Sequence, residues 1–269
     1  MPSSLPPRRP VPRLPKPDGR RLALTHALVR ARARTREPRA PRTLSIDIGG
    51  TGIKMLVLDA EGRPVSERLR FLTPKPAVPR AVIDVIEQML ALQPPFDRVS
   101  VGFPGVVVHG VVHTAPNLDR PSWKNYDLEG DLRRLTRVPV RVINDADLQG
   151  YGVIDGHGVE LVLTLGTGLG SALFVDGHLV PNLELGHHPF KKGKTYEERV
   201  CDAELKRLGK KEWSERVGEM LDQLAPIFNY EVLHLGGGNV EHLRIELPKN
   251  VRLFTNVDGL TGGIRLWQL

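Results

Sequence analysis

Two glycine-rich turns, each between two apolar segments, constrain the fold of this chain most. The first lies between Leu44–Ile48 and Ile53–Leu58, and the second between Leu161–Leu165 and Ser171–Val175. Short apolar runs that end at glycine turns are typical of β-strands. The two hairpins lie at matching points of two similar segments, which indicates a faint internal duplication. We therefore predict two lobes with a ligand in the cleft between them.

The segments around the hairpins favour an α/β fold. Arg80–Leu92 has apolar residues at helical spacing, and Val99–Gly102 and Val138–Ile143 are nearly continuous apolar runs of the kind found in buried strands. We predict one lobe over residues 43–155 and a second over residues 156–269, whose last residues pack back on the first lobe. The 269 residues are ample for this division.

Residues 1–42 form a separate basic segment. They hold eleven Arg and one Lys against Asp18 and Glu37, a charge of +10, so that with +7 for the whole chain the remainder sums to −3. Proline supplies no backbone donor, so residues 1–20 are expected to be disordered, with one short helix at Arg21–Arg36. The segment is interpreted as a solvated arm, as residues upstream of the true start, or as an anchor for polyphosphate, nucleic acid or membrane; we favour the first two.

Cysteine usage and hydropathy bear on the compartment. Cys201 is the single cysteine, which excludes an internal disulfide and a cysteine-rich zinc cluster. No run of about 18 apolar residues is present, and no signal peptide is recognised. A cytoplasmic protein without a membrane partner or a specific nucleic-acid partner is expected.

The first glycine turn has the composition of a phosphate cradle. Glycines let backbone N–H groups approach phosphate oxygens, and a hydroxyl and a cation add donors. A carboxylate at the strand end can hold Mg²⁺ through water. The spacing is neither that of a Walker loop nor that of a dinucleotide fingerprint. A tight hairpin is the alternative for the candidate residues Asp47, Gly49, Gly50, Thr51 and Lys54.

Two further glycine segments extend this pattern. Thr164–Ser171 carries three glycines and three hydroxyls, more than a tight turn requires, and predicts a second cradle. A run of glycines after the apolar Val232–Leu235 leaves a flat backbone against which adenosine can lie, or is a strand-to-helix turn. The candidate residues are Thr164, Gly166, Thr167 and Gly168 in the second cradle, and Gly236, Gly237 and Gly238 in the third segment.

Asp145 is the candidate catalytic base. It follows a predicted strand, and ligands in open α/β sheets lie at the carboxyl ends of strands. A carboxylate there can accept the proton of an attacking hydroxyl, and its ordinary pKa of about 3.9 keeps it ionised at pH 7 unless it is desolvated. The alternative for Asp145 is a helix N-cap, and for Asp147 a favourable partner of the helix dipole.

Glu184-Leu185-Gly186-His187-His188 adds a carboxylate and two imidazoles. Sugar hydroxyls both donate and accept, so carboxylate and His side chains recognise them. Two adjacent histidines do not face one site in an extended segment, so at least one is expected to be structural. A zinc site is not expected, because no further Cys or His stands at ligand spacing.

Taken in order, these motifs resemble the ROK family of sugar kinases and repressors over residues 43–266. The resemblance includes Gly102–Gly105, Thr114–Asn117 and Trp123, which are similar to the sugar-pocket segment. Val106–Asn117 is most similar to bacterial polyphosphate glucokinases, which also lack the family's cysteine-rich zinc motif. Glu197 and Glu198 are two guesses for the family's second sugar-binding glutamate.

The resemblance implies an actin-like (ribonuclease H-like) ATPase fold with two lobes around a nucleotide and sugar cleft. It implies a kinase that transfers the terminal phosphoryl group of polyphosphate or ATP, with Mg²⁺, to the 6-hydroxyl of glucose. Asp145 would be the base, and Asn117, Asn144, Glu184 and His187 would bind the sugar. A homodimer is usual for the family.

Two other functions stay open. One is a kinase for mannose or an N-acylhexosamine, because pocket shape is not readable from sequence. The other is a sugar-sensing repressor, which needs a DNA-binding domain that residues 1–42 are too short and too rich in proline to form.

Overall fold

A computed structural model of the chain describes residues 40–255 and 260–268. Most of the basic segment over residues 1–42, including the helix expected at Arg21–Arg36, lies outside the described residues. No helix in the described part is long and apolar enough to cross a membrane.

The first sheet has five strands in the order β3-β2-β1-β4-β8. The central strand β1 pairs antiparallel with β2 and parallel with β4, and β4 pairs parallel with β8. The elements of this half are β1 (Thr43–Ile48), β2 (Gly52–Leu58), β3 (Leu69–Leu72), α1 (Pro79–Leu90), β4 (Arg98–Phe103), β5 (Val107–Val108), β6 (Val111–Val112), α2 (Arg120–Trp123), β7 (Tyr126–Asp127), α3 (Leu128–Thr136), β8 (Val140–Asn144) and α4 (Asp145–Val153).

The second sheet repeats this topology with the order β11-β10-β9-β14-β15. Its central strand β9 pairs antiparallel with β10 and parallel with β14. Short 3₁₀ helices lie at Leu185–His187, Val240–His242 and Gly262–Trp267. The remaining elements are β9 (Val159–Leu165), β10 (Leu169–Val175), β11 (His178–Val180), β12 (Pro189–Lys191), β13 (Lys194–Thr195), α5 (Glu197–Val200), α6 (Asp202–Phe228), β14 (Val232–Gly236) and β15 (Val251–Leu253).

The pattern of hydrophobic residues explains how the helices cover the two sheets. Every residue of β1 is buried, as expected for a central strand covered on both faces. In α1, Pro79 begins the helix, where its missing N–H costs nothing, and Val82, Ile83 and Ile86 form the buried stripe. The helix α6 packs on the second sheet in the same way and is interrupted at Gly209, whose φ of 76° is not helical.

Helix α4 lies between the two sheets. Its Leu148 contacts β4 at Gly102, where an added Cβ would lie 3.0 Å from the Leu148 side chain and 3.1 Å from the Cα of Asp145. On its other face, Gly150 contacts the ring of Phe174 in β10, and an added Cβ would overlap that ring. Glycine at both positions therefore lets one helix touch both sheets, which fixes the location of its first residue, Asp145.

The last described segment crosses back to the first sheet. Ser45 of β1 donates to the carbonyl of Leu260 at 2.8 Å, and the indole N–H of Trp267 donates to the hydroxyl of Ser100 at 2.8 Å. The guanidinium groups of Arg98 and Arg141 lie 5.3 and 4.7 Å from the Trp267 ring, within cation–π range. Polar and aromatic contacts thus hold the last described segment against the first sheet.

Gly262→Ala tests the packing of this last segment. An added Cβ would overlap the carbonyl of Leu148 and lie 2.5 Å from the amide of Gly152, both backbone atoms of α4. We expect a loss of about 1–3 kcal/mol in the free energy of unfolding, measured by urea denaturation. Gly218→Ala is the control, because its nearest neighbour would lie at 3.4 Å and alanine favours a helix. An unchanged urea midpoint for Gly262→Ala would contradict the packing described here.

Candidate active site

One cavity of about 560 Å³ lies between the two sheets, and both glycine turns form its walls. The carboxyl end of β8, the segment around Glu184 and the turn after β14 complete it. It brings together nearly all of the residues that the sequence singled out: Asp47, Gly49, Gly50, Thr51, Lys54, Asn117, Asn144, Asp145, Thr164, Gly166, Thr167, Gly168, Glu184, His187, Gly237 and Gly238.

Gly236, in contrast, does not line the cavity. It is the last residue of β14 and pairs with Thr164 of β9, and an added Cβ would overlap the ring of Phe254. Its small size serves packing beneath the turn. The backbone of Gly237 and Gly238 lines the cavity. Gly237 has a φ of 92°, which residues with a side chain rarely adopt.

The first glycine turn, residues 49–51, is held by its own backbone and by its neighbours. The amide of Gly49 donates to the carbonyl of Gly52 at 3.0 Å, and the hydroxyl of Thr73 donates to the carbonyl of Gly49. Gly50 lies against the backbone of Asn117, where an added Cβ would be 3.1 Å from the carbonyl oxygen. The turn is therefore rigid and cannot accept a larger residue without moving the Asn117 loop.

Lys54 is paired inside the cavity with the carboxylate of Asp47. Its Nζ lies 2.7 Å from Asp47 Oδ2, and the two residues face each other across β1 and β2. Both side chains are mostly buried, which strengthens the attraction between them. The pair places one cation and one carboxylate beside the first turn.

The second turn, residues 166–168, is built similarly and held by different groups. The amide of Gly166 donates to the carbonyl of Gly168 at 3.0 Å, and the Gly166 carbonyl accepts from the amide of Asp202 at 2.9 Å and from the Asn239 side chain at 3.2 Å. The carboxylate of Glu197 accepts from the amide of Leu169 at 3.0 Å. This turn is thus fastened to the start of α6 and to the loop after β14.

Asn144 is the N-cap of α4, so the interpretation of Asp145 as the cap is wrong by one residue. Its side-chain oxygen accepts from the amides of Ala146 at 2.8 Å and Asp147 at 3.2 Å. Its side-chain nitrogen donates to the carbonyl of Gly105 at 3.2 Å and to Glu184 at 3.4 Å. Asn144 therefore joins the helix start to the predicted sugar-binding carboxylate.

Asp145 is the first residue of α4 and faces the cavity. Desolvation raises its pKa well above the ordinary value, and the negative charge of Asp47 raises it further. One hydrogen bond from the amide of Ala146, at 2.8 Å, opposes the shift. Asp145 thus meets the condition under which a raised pKa was expected, desolvation, and its carboxylate holds a proton more tightly than an exposed aspartate would.

Glu184 and His187 form a polar pair on the cavity wall. Their carboxylate and imidazole lie 3.4 Å apart at the ends of a 3₁₀ turn, and burial raises the pKa of Glu184. The side chain of His188 lies against the Tyr196 ring, and its Nδ1 is 2.8 Å from the carbonyl of Pro189. His187 lines the cavity and His188 does not, so of the two only His187 is placed to contact a ligand there.

The two glutamates proposed for the second sugar contact differ in position. Glu197 lines the cavity, next to Gly168 and Gly186. Glu198 does not line it, and its carboxylate accepts from the amide of Thr195 at 2.8 Å. Of the two guesses, the geometry favours Glu197.

Sequence reasoning missed the burial of Asp147, which it treated as a partner of the helix dipole. The carboxylate is almost fully buried, accepts from the amide of Asn182 at 3.2 Å, and leaves its Oδ1 without a hydrogen-bond partner among the described residues. Desolvation raises its pKa to about 7. The burial of Asp147 could not be predicted from the sequence, because its partner Asn182 lies 35 positions away in the chain.

Sequence reasoning also missed Arg68 and Arg70, which line the cavity from the segment that includes β3. Arg68 directly precedes β3 and Arg70 lies within it, so their alternation with Leu69 puts both side chains on one face of this extended segment. That signal was readable, but the pairing of β3 with β2 was not. Groups of three or more His, Cys, Asp or Glu arranged as a metal site are not found in the described ranges.

Comparison with known proteins agrees with this architecture. The ROK family model matches residues 43–202. A polyphosphate glucokinase of Mycobacterium tuberculosis is 35% identical over 203 residues, which are 72% of this chain and 76% of that protein. The crystal structure of an inorganic polyphosphate/ATP-glucomannokinase from Arthrobacter sp. strain KM superposes with a TM-score of 0.76 at 35% identity, covering 85% of this chain and all of that one.

A more distant structure supports the fold alone. A ROK family glucokinase from Streptomyces griseus, in complex with glucose and AMPPNP, gives a TM-score of 0.68 at 21% identity, over 84% of this chain and 98% of that one. Two sheets of repeated topology around a cleft define the actin-like ATPase fold, as the sequence predicted. The chain belongs to the ROK family of sugar kinases and their relatives.

Asp147→Asn tests the buried carboxylate. Because the folded pKa of about 7 lies above the ordinary 3.8, the Asp147 carboxyl ionises first in the unfolded chain, and its contribution to wild-type stability falls as the pH rises from about 4 to about 7. The difference between the Asp147→Asn variant and wild type should grow in favour of the variant over this window, by up to roughly 4 kcal/mol. Urea denaturation at several pH values measures it.

The control for this series is Asp84→Asn, since Asp84 is half exposed and pairs with the exposed Arg80. Its stability relative to wild type should not show the large change with pH that is expected for Asp147→Asn. A stability difference between Asp147→Asn and wild type that does not change from pH 4 to pH 8 would contradict the shifted pKa of Asp147.

Proposed function

We propose that this protein is a hexose kinase that transfers the terminal phosphoryl group of polyphosphate or ATP to the 6-hydroxyl of glucose. The observation that supports the proposal most is that Asp145, at the carboxyl end of β8, lines the same cavity as both glycine turns. A proton acceptor and two sets of backbone donors then face one reaction space. The choice of polyphosphate or ATP as the donor, and of glucose as the acceptor, follows the names of the relatives from Mycobacterium and Arthrobacter.

In the proposed reaction Asp145 accepts the proton of the sugar hydroxyl. As the proton leaves, the hydroxyl oxygen forms a bond to the terminal phosphorus, and the bond from that phosphorus to the next bridging oxygen breaks. The leaving group is a polyphosphate shortened by one unit, or ADP. Because burial and Asp47 raise the pKa of Asp145, its carboxylate holds the transferred proton better than an exposed aspartate would.

The sugar is proposed to lie against the group around Glu184. Asn144 donates to Glu184 at 3.4 Å, and His187 lies 3.4 Å from it on the other side, so these three side chains form one connected acceptor and donor surface. Asn117 approaches from the loop that packs on Gly50. Fixing the sugar here positions its hydroxyl between Asp145 and the glycine turns.

The glycine turns are proposed to bind the donor phosphates. Their amides and the hydroxyls of Thr51 and Thr167 line the cavity, and Lys54 adds a cation. Such donors stabilise negative charge that develops on the phosphoryl oxygens. Gly237 and Gly238 offer the flat backbone against which adenosine would lie.

The carboxylates in the cavity also fit a magnesium ion, as carboxylate oxygen and water are the ligands Mg²⁺ prefers. Asp47 is proposed to hold it through water, since its carboxylate lines the cavity and couples electrostatically with Asp145. Bound there, Mg²⁺ would neutralise charge on the donor phosphates. Lys54 would keep the Asp47 carboxylate oriented.

A coupled assay tests the function. Purified protein is mixed with glucose, mannose or an N-acylhexosamine, each with ATP and with polyphosphate in the presence of Mg²⁺, and the sugar phosphate is measured. We expect phosphorylation of glucose at the 6-position. Absence of sugar phosphate with every sugar and both donors would refute the proposal.

Asp145→Asn tests the catalytic base. The amide keeps the shape of the side chain but cannot accept the proton, so kcat should fall by about 10²- to 10⁴-fold while the affinity for glucose stays close to wild type. Because the protonated acid is inactive, the wild-type kcat/KM should also fall as the pH is lowered. The midpoint of this fall should lie at a pH above the ordinary pKa of aspartate. Asp176→Asn, at a surface turn, is the control. Turnover of Asp145→Asn near the wild-type rate would remove Asp145 from the mechanism.

A further inference from the structure

The cavity carries positive charge on one wall. Of the described residues that line it, the Lys and Arg residues are Lys54, Arg68 and Arg70, and all three belong to the β2–β3 hairpin. The carboxylates of Asp145, Glu184 and Glu197 lie elsewhere on the lining. An anion that enters the cavity is therefore drawn toward the β2–β3 side.

Arg70 lies directly beside the first glycine turn. It pairs across the strands with Lys54, and an added Cβ at Gly52 would lie 3.0 Å from its Nε and 3.2 Å from its Nη2. The guanidinium group thus covers the backbone where the turn enters β2. Glycine at position 52 leaves the room for it.

Neither arginine of this hairpin wall has a carboxylate within ion-pair distance among the described residues. The nearby Arg63, in contrast, pairs with Asp59 at 2.8 Å and with Glu61 at 3.0 Å. Opposed like charges such as Lys54 and Arg70 destabilise a strand pair unless something neutralises them. Asp47 neutralises Lys54, while the charges of Arg68 and Arg70 face the open part of the cavity.

We infer that Arg68 and Arg70 form a subsite for the phosphates of a linear polyphosphate that lie beyond the group being transferred. Such a chain carries a negative charge at each phosphate and has no base, so it needs cations along its path. A nucleotide instead needs the neutral surface at Gly237 and Gly238, on the second sheet. Arginine suits the role because its planar fork binds two phosphate oxygens at once.

The inference rests on the proposed function only in that polyphosphate is taken as a phosphoryl donor. Binding is therefore measured apart from catalysis. The full chain is titrated with long-chain polyphosphate and, separately, with ATP, without sugar, and the dissociation constants are compared with KM values from the coupled assay.

The variants are Arg68→Gln, Arg70→Gln, the double variant and Arg70→Lys, with Arg63→Gln, in the connection between β2 and β3, as the control. Both target side chains are exposed, so the variants should fold, which the thermal midpoint checks. We expect the double variant to raise Kd and KM for long polyphosphate roughly tenfold or more, with ATP changed less than about threefold. Arg70→Lys should fall between wild type and Arg70→Gln, and added salt should weaken wild-type binding most.

If the double variant had the same Kd and KM for polyphosphate as the wild type, the subsite would be refuted. The same would follow from a wild-type protein that phosphorylates glucose with ATP but does not bind polyphosphate, a result that leaves the hexose kinase proposal intact. Binding of polyphosphate that depends on both arginines, without phosphorylation of any sugar, would support the subsite and refute the kinase proposal.

Discussion

The close contact of α4 with both sheets is the constraint on which the site depends. Gly102 lets the helix approach the first sheet, and Gly150 lets the Phe174 ring of the second sheet approach the helix. Asn144 caps the helix start and holds Glu184 with its other end. Because the helix begins at this junction, its first carboxylate faces the cavity from a position that neither sheet provides alone.

The repeated topology gives the two halves different chemical roles. Both sheets open with a hairpin around a glycine turn, and in both turns a glycine amide donates within the turn at 3.0 Å. The first sheet adds Lys54 from β2 and Arg68 and Arg70 from the segment that includes β3, whereas the second hairpin presents backbone and hydroxyl groups. A repeated topology thus encloses a cavity with basic side chains on one wall and carboxylates elsewhere on its lining.

Local chemistry made much of this site predictable from the sequence. Glycine turns and a carboxylate after a buried strand were recognised because backbone approach and strand polarity constrain a few adjacent residues. The N-cap was misplaced by one residue, since Asn144 and Asp145 are both good caps and only the helix start distinguishes them. Gly236, interpreted as a ligand contact, has its small size because Phe254 packs on it.

What the sequence could not supply was the pairing between distant segments. The position of Arg68 and Arg70 beside the first glycine turn follows only from the pairing of β3 with β2, and the raised pKa of Asp147 follows from burial near Asn182. Likewise Glu197 and Glu198 differ by one position in the chain but face different surroundings. Each of these depends on tertiary contacts that periodicity does not encode.

If Asp145 is the catalytic base, its carboxylate touches the hydroxyl that attacks the phosphoryl group. A crystal structure of the full chain with glucose and a donor analogue that cannot transfer its phosphoryl group measures this contact directly. The proposed role of Asp145 predicts that one of its carboxylate oxygens lies about 2.6–3.2 Å from the 6-hydroxyl, with that hydroxyl facing the terminal phosphorus. A 6-hydroxyl bound by Glu184 or by water, and out of reach of Asp145, would contradict it.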